Sequence, residues 1–245
     1  MTDDDERATP AATEALELTI DLGPEPASAT GAAPDAVSAL WMRPDGARAA
    51  YLLAHGAGAG MRHAFLEQLA AALAARGVAT LRYQFPYVEA GRRRPDPPAL
   101  LERTVRAAAA EVIRRAPDLP LVAGGKSMGG RMTSQAQAAA ALPGVRGLAF
   151  VCFPLHPAGK PSVTRAEHLA RVAIPMLFLS GTRDELATLD LLEPVVAGLG
   201  PLAELSLVDG ADHSFRVPAR SGRRAADVIG GLADAIAAFA SRWAG

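Results

Sequence analysis

The sequence predicts an α/β protein, with one mostly parallel central sheet and helices on both of its faces. Three observations carry this. From residue 49 onward, short apolar runs alternate with segments of helical spacing. Several runs, among them 49–54, 145–153 and 174–180, are apolar almost throughout, as strands buried on both faces are. A glycine-rich turn, Gly124-Gly125-Lys126-Ser127-Met128-Gly129-Gly130, joins an apolar run to an alanine-rich stretch of helical composition.

In chain order, residues 1–15 begin Met1-Thr2-Asp3-Asp4-Asp5-Glu6 and read as a disordered acidic tail, and residues 16–245 as one domain. Residues 16–22 alternate apolar and polar side chains, the pattern of a half-exposed strand, and 37–42 is a second short strand. Between them, 23–34 is rich in Pro, Ala and Gly and predicts a loop. The buried strand 49–54 runs into His55-Gly56-Ala57-Gly58-Ala59-Gly60, followed by a helix over 65–76 with Gly77 beyond its end. A strand over 78–83 comes next. Residues 84–98 hold Pro86, Gly91, Pro95, Pro97 and Pro98 and predict a loop. A helix over 100–116 precedes the serine turn, with strands at 145–153 and 174–180 beyond it. At most a short helix fits between those strands, at 167–171. Helix 189–199, strand 202–208 and a closing helix over 225–243 complete the domain.

Composition narrows the function. Half of the 245 residues are hydrophobic, enough for a large core, and the net charge of −1 argues against a general nucleic-acid or anionic-membrane binder. The single cysteine, Cys152, lies in an apolar run and reads as a buried core thiol. With no secretory signal pattern and no apolar run long enough to span a bilayer, a soluble cytoplasmic protein is expected. No C-x-x-C or H-E-x-x-H spacing points to a metal, and no cofactor is expected.

The chemistry centres on Ser127. A G-x-S-x-G turn between strand and helix holds its serine in a strained conformation, with Gly125 and Gly129 leaving room, and the helix that starts near Met128 directs its positive end at the same place. A serine hydroxyl needs a base to take its proton and an acid to orient that base. Asp184, just after strand 174–180, is the acid candidate, with Glu185 the adjacent alternative; His213, just past strand 202–208, is the base candidate. His55 reads as a residue that holds the glycine-rich turn. His63 and His168 suit surface or capping roles. His156, between two prolines beside the expected cleft, is either a substrate contact or a loop lock. The turn 55–60 can bring a backbone N–H beside the serine, so that Ala57, or alternatively Gly58, completes an oxyanion hole with Met128. The arginines at 92–94 and those following His213 read as solvated charge. The sharper expectation is that Arg216 binds an anionic group of the substrate.

Leu53-Ala54-His55-Gly56-Ala57-Gly58, the serine turn through Arg131, Phe153-Pro154-Leu155-His156-Pro157, Leu179-Ser180-Gly181-Thr182-Arg183-Asp184 and Gly210-Ala211-Asp212-His213-Ser214 together resemble the α/β-hydrolase superfamily. More narrowly, the chain is similar to the small hydrolase-like family named for a testis-expressed protein and a subunit of a histone-acetyltransferase complex, close to dienelactone hydrolase. The resemblance spans about residues 36–243. It implies a sheet of about seven to eight strands, and it carries a catalytic triad onto Ser127, Asp184 and His213. The segment between Phe153 and Ile174 is too short for the cap domain of many superfamily lipases, so an open cleft follows. These readings lead to a serine hydrolase of carboxylic esters or thioesters acting on a small acyl substrate. The alternative is a non-catalytic scaffold on the same fold.

Overall fold

The computed structural model describes residues 14–23 and 34–244; all but the last two residues of the expected tail 1–15, and all but the ends of the loop 23–34, lie outside these. Eight strands form one sheet: β1 (Leu16–Asp21), β2 (Ala36–Met42), β3 (Ala49–Ala54), β4 (Val78–Tyr83), β5 (Leu121–Lys126), β6 (Val145–Val151), β7 (Met176–Gly181) and β8 (Ala203–Val208). Their spatial order is β1-β2-β4-β3-β5-β6-β7-β8. The β1–β2 and β2–β4 pairs are antiparallel, and every pair from β4–β3 to β7–β8 is parallel.

The helices are α1 (Ala64–Ala74), α2 (Pro86–Glu89), α3 (Pro98–Arg115), α4 (Met128–Ala139), α5 (Leu189–Gly198) and α6 (Ala225–Ala240). They divide the core between the two faces of the sheet. On β3, Ala50, Leu52 and Ala54 join one apolar cluster with Val105 of α3, Met132 of α4 and Leu192 of α5. The alternate residues Ala49, Tyr51 and Leu53 join the other, with Leu66 of α1 and Leu232 and Ile236 of α6. All six β3 residues are buried. The unbroken apolar run in the sequence is therefore the direct result of burial on both sides.

Three features differ from the sequence reading by more than two residues. The stretch 84–98 contains α2, because Pro86 stands at the first helical position, where its missing N–H costs nothing. The segment between β6 and β7 carries a longer 3₁₀ helix, Thr164–Arg171. The closing helix ends at Ala240, and Ser241–Trp243 tightens into a 3₁₀ turn. Among the described residues, no cap domain interrupts the sheet connections.

The chain leaves β3 toward β4 on one side and later crosses to β5 on the other. The carboxyl ends of β3 and β5 therefore flank a topological switch point, where ligands bind in open parallel sheets. Close approach here depends on absent side chains. A Cβ on Gly125 would stand 2.3 Å from the Ala54 carbonyl oxygen, and one on Gly129 2.6 Å from the carbonyl oxygens of Ala54 and His55. These glycines therefore admit the end of β3, and with it the glycine-rich turn, against the serine turn.

Candidate active site

Ser127 sits between β5 and α4 with φ 50° and ψ −117°, and its N–H donates to Val151 at 2.9 Å. Among the described residues, only three that are not glycine have positive φ: Ser127, Cys152 and Phe215. All three lie around the same side chains: Cys152 is hydrogen-bonded to Asp184, and Phe215 flanks Lys126, which donates to the His213 carbonyl. Strain collected in one place and held by surrounding structure is the mark of a functional site.

The structure brings the three predicted side chains together. His213 Nε2 lies 2.9 Å from Ser127 Oγ, and His213 Nδ1 lies 2.9 and 2.8 Å from the two carboxylate oxygens of Asp184. With Nδ1–H donated to Asp184, Nε2 has its lone pair free to accept the serine proton. Glu185, the alternative acid, is exposed. Burial opposes ionisation of Asp184, which is 1% exposed. The hydrogen bond and charge of His213, the Leu186 N–H at 2.9 Å and the Cys152 thiol nevertheless hold its carboxyl below the usual range.

Cys152 is the buried thiol the sequence suggests, yet it also borders the site, at the end of β6 beneath Asp184. Burial, opposed by the Lys126 charge, pushes this thiol up to about 12, so it stays protonated and donates to the carboxylate. Cys152 Sγ, an Asp184 oxygen and a His213 nitrogen lie within 4.8 Å of one another.

His55 holds the glycine-rich turn. Its Nδ1 donates to the Gly56 carbonyl at 2.8 Å, and its Nε2 accepts the Phe85 N–H at 3.1 Å. Burial lowers the imidazole to about 4, so it is neutral at ordinary pH. Gly56 O also accepts the Ala59 N–H at 3.2 Å, closing a turn around Ala57 and Gly58. Gly58 takes φ 73°, and the N–H groups of Ala57 and Gly58 make no backbone hydrogen bond among the described residues. Met128, as the first residue of α4, presents an N–H that the helix leaves unpaired.

The other singled-out residues separate. His156 is buried, with Nδ1 2.9 Å from the Pro157 carbonyl and Nε2 buried without a partner. The Arg216 side chain is exposed, while its backbone N–H donates to Asp212 Oδ1 at 2.9 Å. Arg92 is more than solvated charge, since it pairs at 2.6 Å with Asp96, whose side chain is 3% exposed. His63 caps α1, accepting the Phe65 N–H at 3.3 Å. His168 departs from its expected surface or capping role. It is buried, 2.7 Å from Ser134 Oγ, because the 3₁₀ segment packs against α4. This second serine–histidine contact differs from the first: burial and the charges of Arg171 and Arg131 lower His168 to about 4, and no carboxylate among the described residues is bonded to it.

Lys126, within the serine turn, has a role that the sequence alone does not assign. Its Nζ donates to the His213 carbonyl and lies 5.4 and 5.6 Å from the ring centroids of Phe65 and Phe215, tying the serine strand to the histidine loop. Its place beside the serine in the glycine-rich turn was the available signal. A hollow of about 500 Å³ lined by Val112, Pro117, Gly144 and Trp243 opens at the amino edge of the sheet, away from Ser127.

A mostly parallel eight-stranded sheet with a serine turn at its carboxyl edge defines the α/β-hydrolase class. A family model described as an alpha/beta hydrolase domain matches residues 47–241, and the chain belongs to that family. Among solved structures it is similar to a dienelactone hydrolase from Anabaena variabilis, with 20% identity, TM-score 0.69 and coverage of 95% of this chain and 97% of that one. It is also similar to a lidless α/β serine hydrolase from Xanthomonas campestris, with 21% identity, TM-score 0.69 and coverage of 93% and 96%. An esterase domain from Rhodothermus marinus matches with 14% identity, TM-score 0.68 and coverage of 95% and 100%. No helix among the described residues is long and apolar enough to cross a membrane.

Proposed function

We propose that the protein is a serine hydrolase that cleaves carboxylic esters or thioesters through an acyl-enzyme. The observation that carries this is the relay from Asp184 through His213 to Ser127, with hydrogen bonds of 2.8 and 2.9 Å. Ser127 Oγ attacks the carbonyl carbon while His213 Nε2 takes its proton. The oxyanion that forms is held by the N–H groups of Met128 and Ala57, at the positive end of α4. His213 then returns the proton to the departing alcohol or thiol. Water repeats the sequence on the acyl-enzyme and releases the acid. Asp184 stays ionised and steadies the imidazolium.

A small acyl substrate, a cytoplasmic setting and no cofactor belong to the same proposal. So does the narrower kinship with the testis-expressed and histone-acetyltransferase-subunit family, which rests on the residues quoted from the sequence. His156 is assigned the loop-locking role, since it is 1% exposed and its Nδ1 lies 2.9 Å from the Pro157 carbonyl.

The test is steady-state hydrolysis of a panel of aryl esters and acyl thioesters by wild type and Ser127→Ala. Loss of the nucleophile costs on the order of 10⁶ in kcat in the best-studied triad. A Ser127→Ala rate within about tenfold of wild type overturns the assignment.

A further inference from the structure

Beside the serine turn lies a seam of positive charge without a counter-ion among the described residues. α4 and the 3₁₀ segment Thr164–Arg171 pack together, pinned by the buried contact of Ser134 with His168 at 2.7 Å. Arg131 stands three residues before Ser134, one turn back along the same face of α4. Arg165 stands three residues before His168, the spacing at which 3₁₀ side chains eclipse. Both elements run away from the carboxyl edge of the sheet, since α4 starts just after Ser127 and the 3₁₀ segment leads from β6 back to the start of β7. The two arginines therefore lie on the cleft side of the pinning contact.

Neither guanidinium has a partner among the described residues. Arg131 Nε is buried with no hydrogen bond, and no ion pair includes Arg131 or Arg165. Arg131 is lowered from its ordinary value by burial and then by the charge of Arg165, and His168 feels Arg171 and Arg131. The one carboxylate on the 3₁₀ segment, Glu167, is exposed and unpaired among the described residues. Half-buried like charges close enough for one to depress the other are costly unless an anion completes the set.

We propose that Arg131 and Arg165 form a subsite for a compact oxyanion carried by the substrate, so that the hydrolase prefers acyl esters with a free carboxylate or phosphate group. The inference rests on the serine-hydrolase reading of Ser127. Arg131 is four residues along the helix from Ser127, a rise of about 6 Å. A carboxylate held there and an ester carbonyl at Ser127 fit the span of a short dicarboxylic acid. Guanidinium groups suit such an anion because their planar forks bind it through paired hydrogen bonds.

The experiment compares kcat/KM for the 4-nitrophenyl half-ester of glutarate with that for its methyl-capped neutral analogue. Wild type should favour the charged ester by about tenfold or more, and Arg131→Gln and Arg165→Gln should each reduce that ratio by about tenfold. Arg131→Lys, which keeps the charge without the fork, should retain part of it. A wild-type ratio near one, or a ratio that survives both Gln variants, overturns the proposal. Inorganic phosphate should compete against the charged ester. Phosphate binding with no ester discrimination would assign the seam to a free anion and overturn the substrate assignment.

Labelling of wild type with an uncharged fluorophosphonate separates the two readings. An adduct on Ser127 without ester discrimination refutes the subsite and leaves the hydrolase. Without an adduct the hydrolase reading fails, and calorimetric titration with glutarate decides the subsite: binding that is lost in Arg131→Gln supports it, and no binding refutes it.

Discussion

His55 is expected to make the fold acid-sensitive by a calculable amount. The imidazole is fully buried between the Gly56 carbonyl and the Phe85 N–H, and the second contact requires a neutral Nε2. Its folded value of about 4 lies below the ordinary 6.5. Between those two pH values the unfolded chain binds the proton and the native state does not, so stability is complete above about 6.5 and is lost as pH falls toward 4. Linkage with these two values puts the loss between pH 7 and pH 5 at about 2 kcal/mol. The assay is urea unfolding of wild type and His55→Gln at both pH values. Glutamine keeps a donor and an acceptor but does not titrate, and every other acid-sensitive group, His168 included, cancels in the comparison. The stability advantage of wild type over His55→Gln should shrink by about 2 kcal/mol on going from pH 7 to pH 5. An advantage that stays constant, or grows in acid, would refute the neutral, hydrogen-bonded imidazole as the lock of the glycine-rich turn.

Three further outcomes follow from contacts around the site. Gly129→Ala places a Cβ 2.6 Å from two backbone carbonyl oxygens. It should cost about 1–3 kcal/mol by denaturant unfolding and slow fluorophosphonate labelling, because the end of β3 must retreat from Ser127. Lys126→Met keeps the stem but removes the ammonium from the His213 carbonyl and the Phe65 and Phe215 rings. Its kcat should fall about tenfold with KM little changed, equivalent to about 1.4 kcal/mol at the transition state. Ser134→Ala should lose about 1–3 kcal/mol of stability by unpairing the buried His168 nitrogen, yet Ser127 should still be labelled, as intact mass will show.

Much of this architecture was legible because the signals are local. The strands β3, β5 and β6 are apolar runs with turn residues at their ends. The serine turn announces itself because only glycine fits where a Cβ on residue 124, 125 or 129 would strike backbone. The chain order of Ser127, Asp184 and His213 could be read because each follows a strand that the pattern already located. What escaped depends on contacts between distant parts of the chain. Lys126 meets the His213 carbonyl across 87 positions, and Ser134 meets His168 across 34, and no spacing rule encodes either. Cys152 reads correctly as a core thiol, but only the left-handed backbone at the end of β6 turns it toward Asp184. The helix α2 was hidden by Pro86, which reads as a breaker and serves as a helix start.

The most direct test of the account is labelling of the full chain with a fluorophosphonate, read by intact mass, on wild type, Ser127→Ala and His213→Ala. An activated serine requires both the Oγ and the imidazole 2.9 Å from it. The account predicts a single adduct on wild type and none on either variant. An unlabelled wild type, or an adduct that persists in Ser127→Ala, would contradict it.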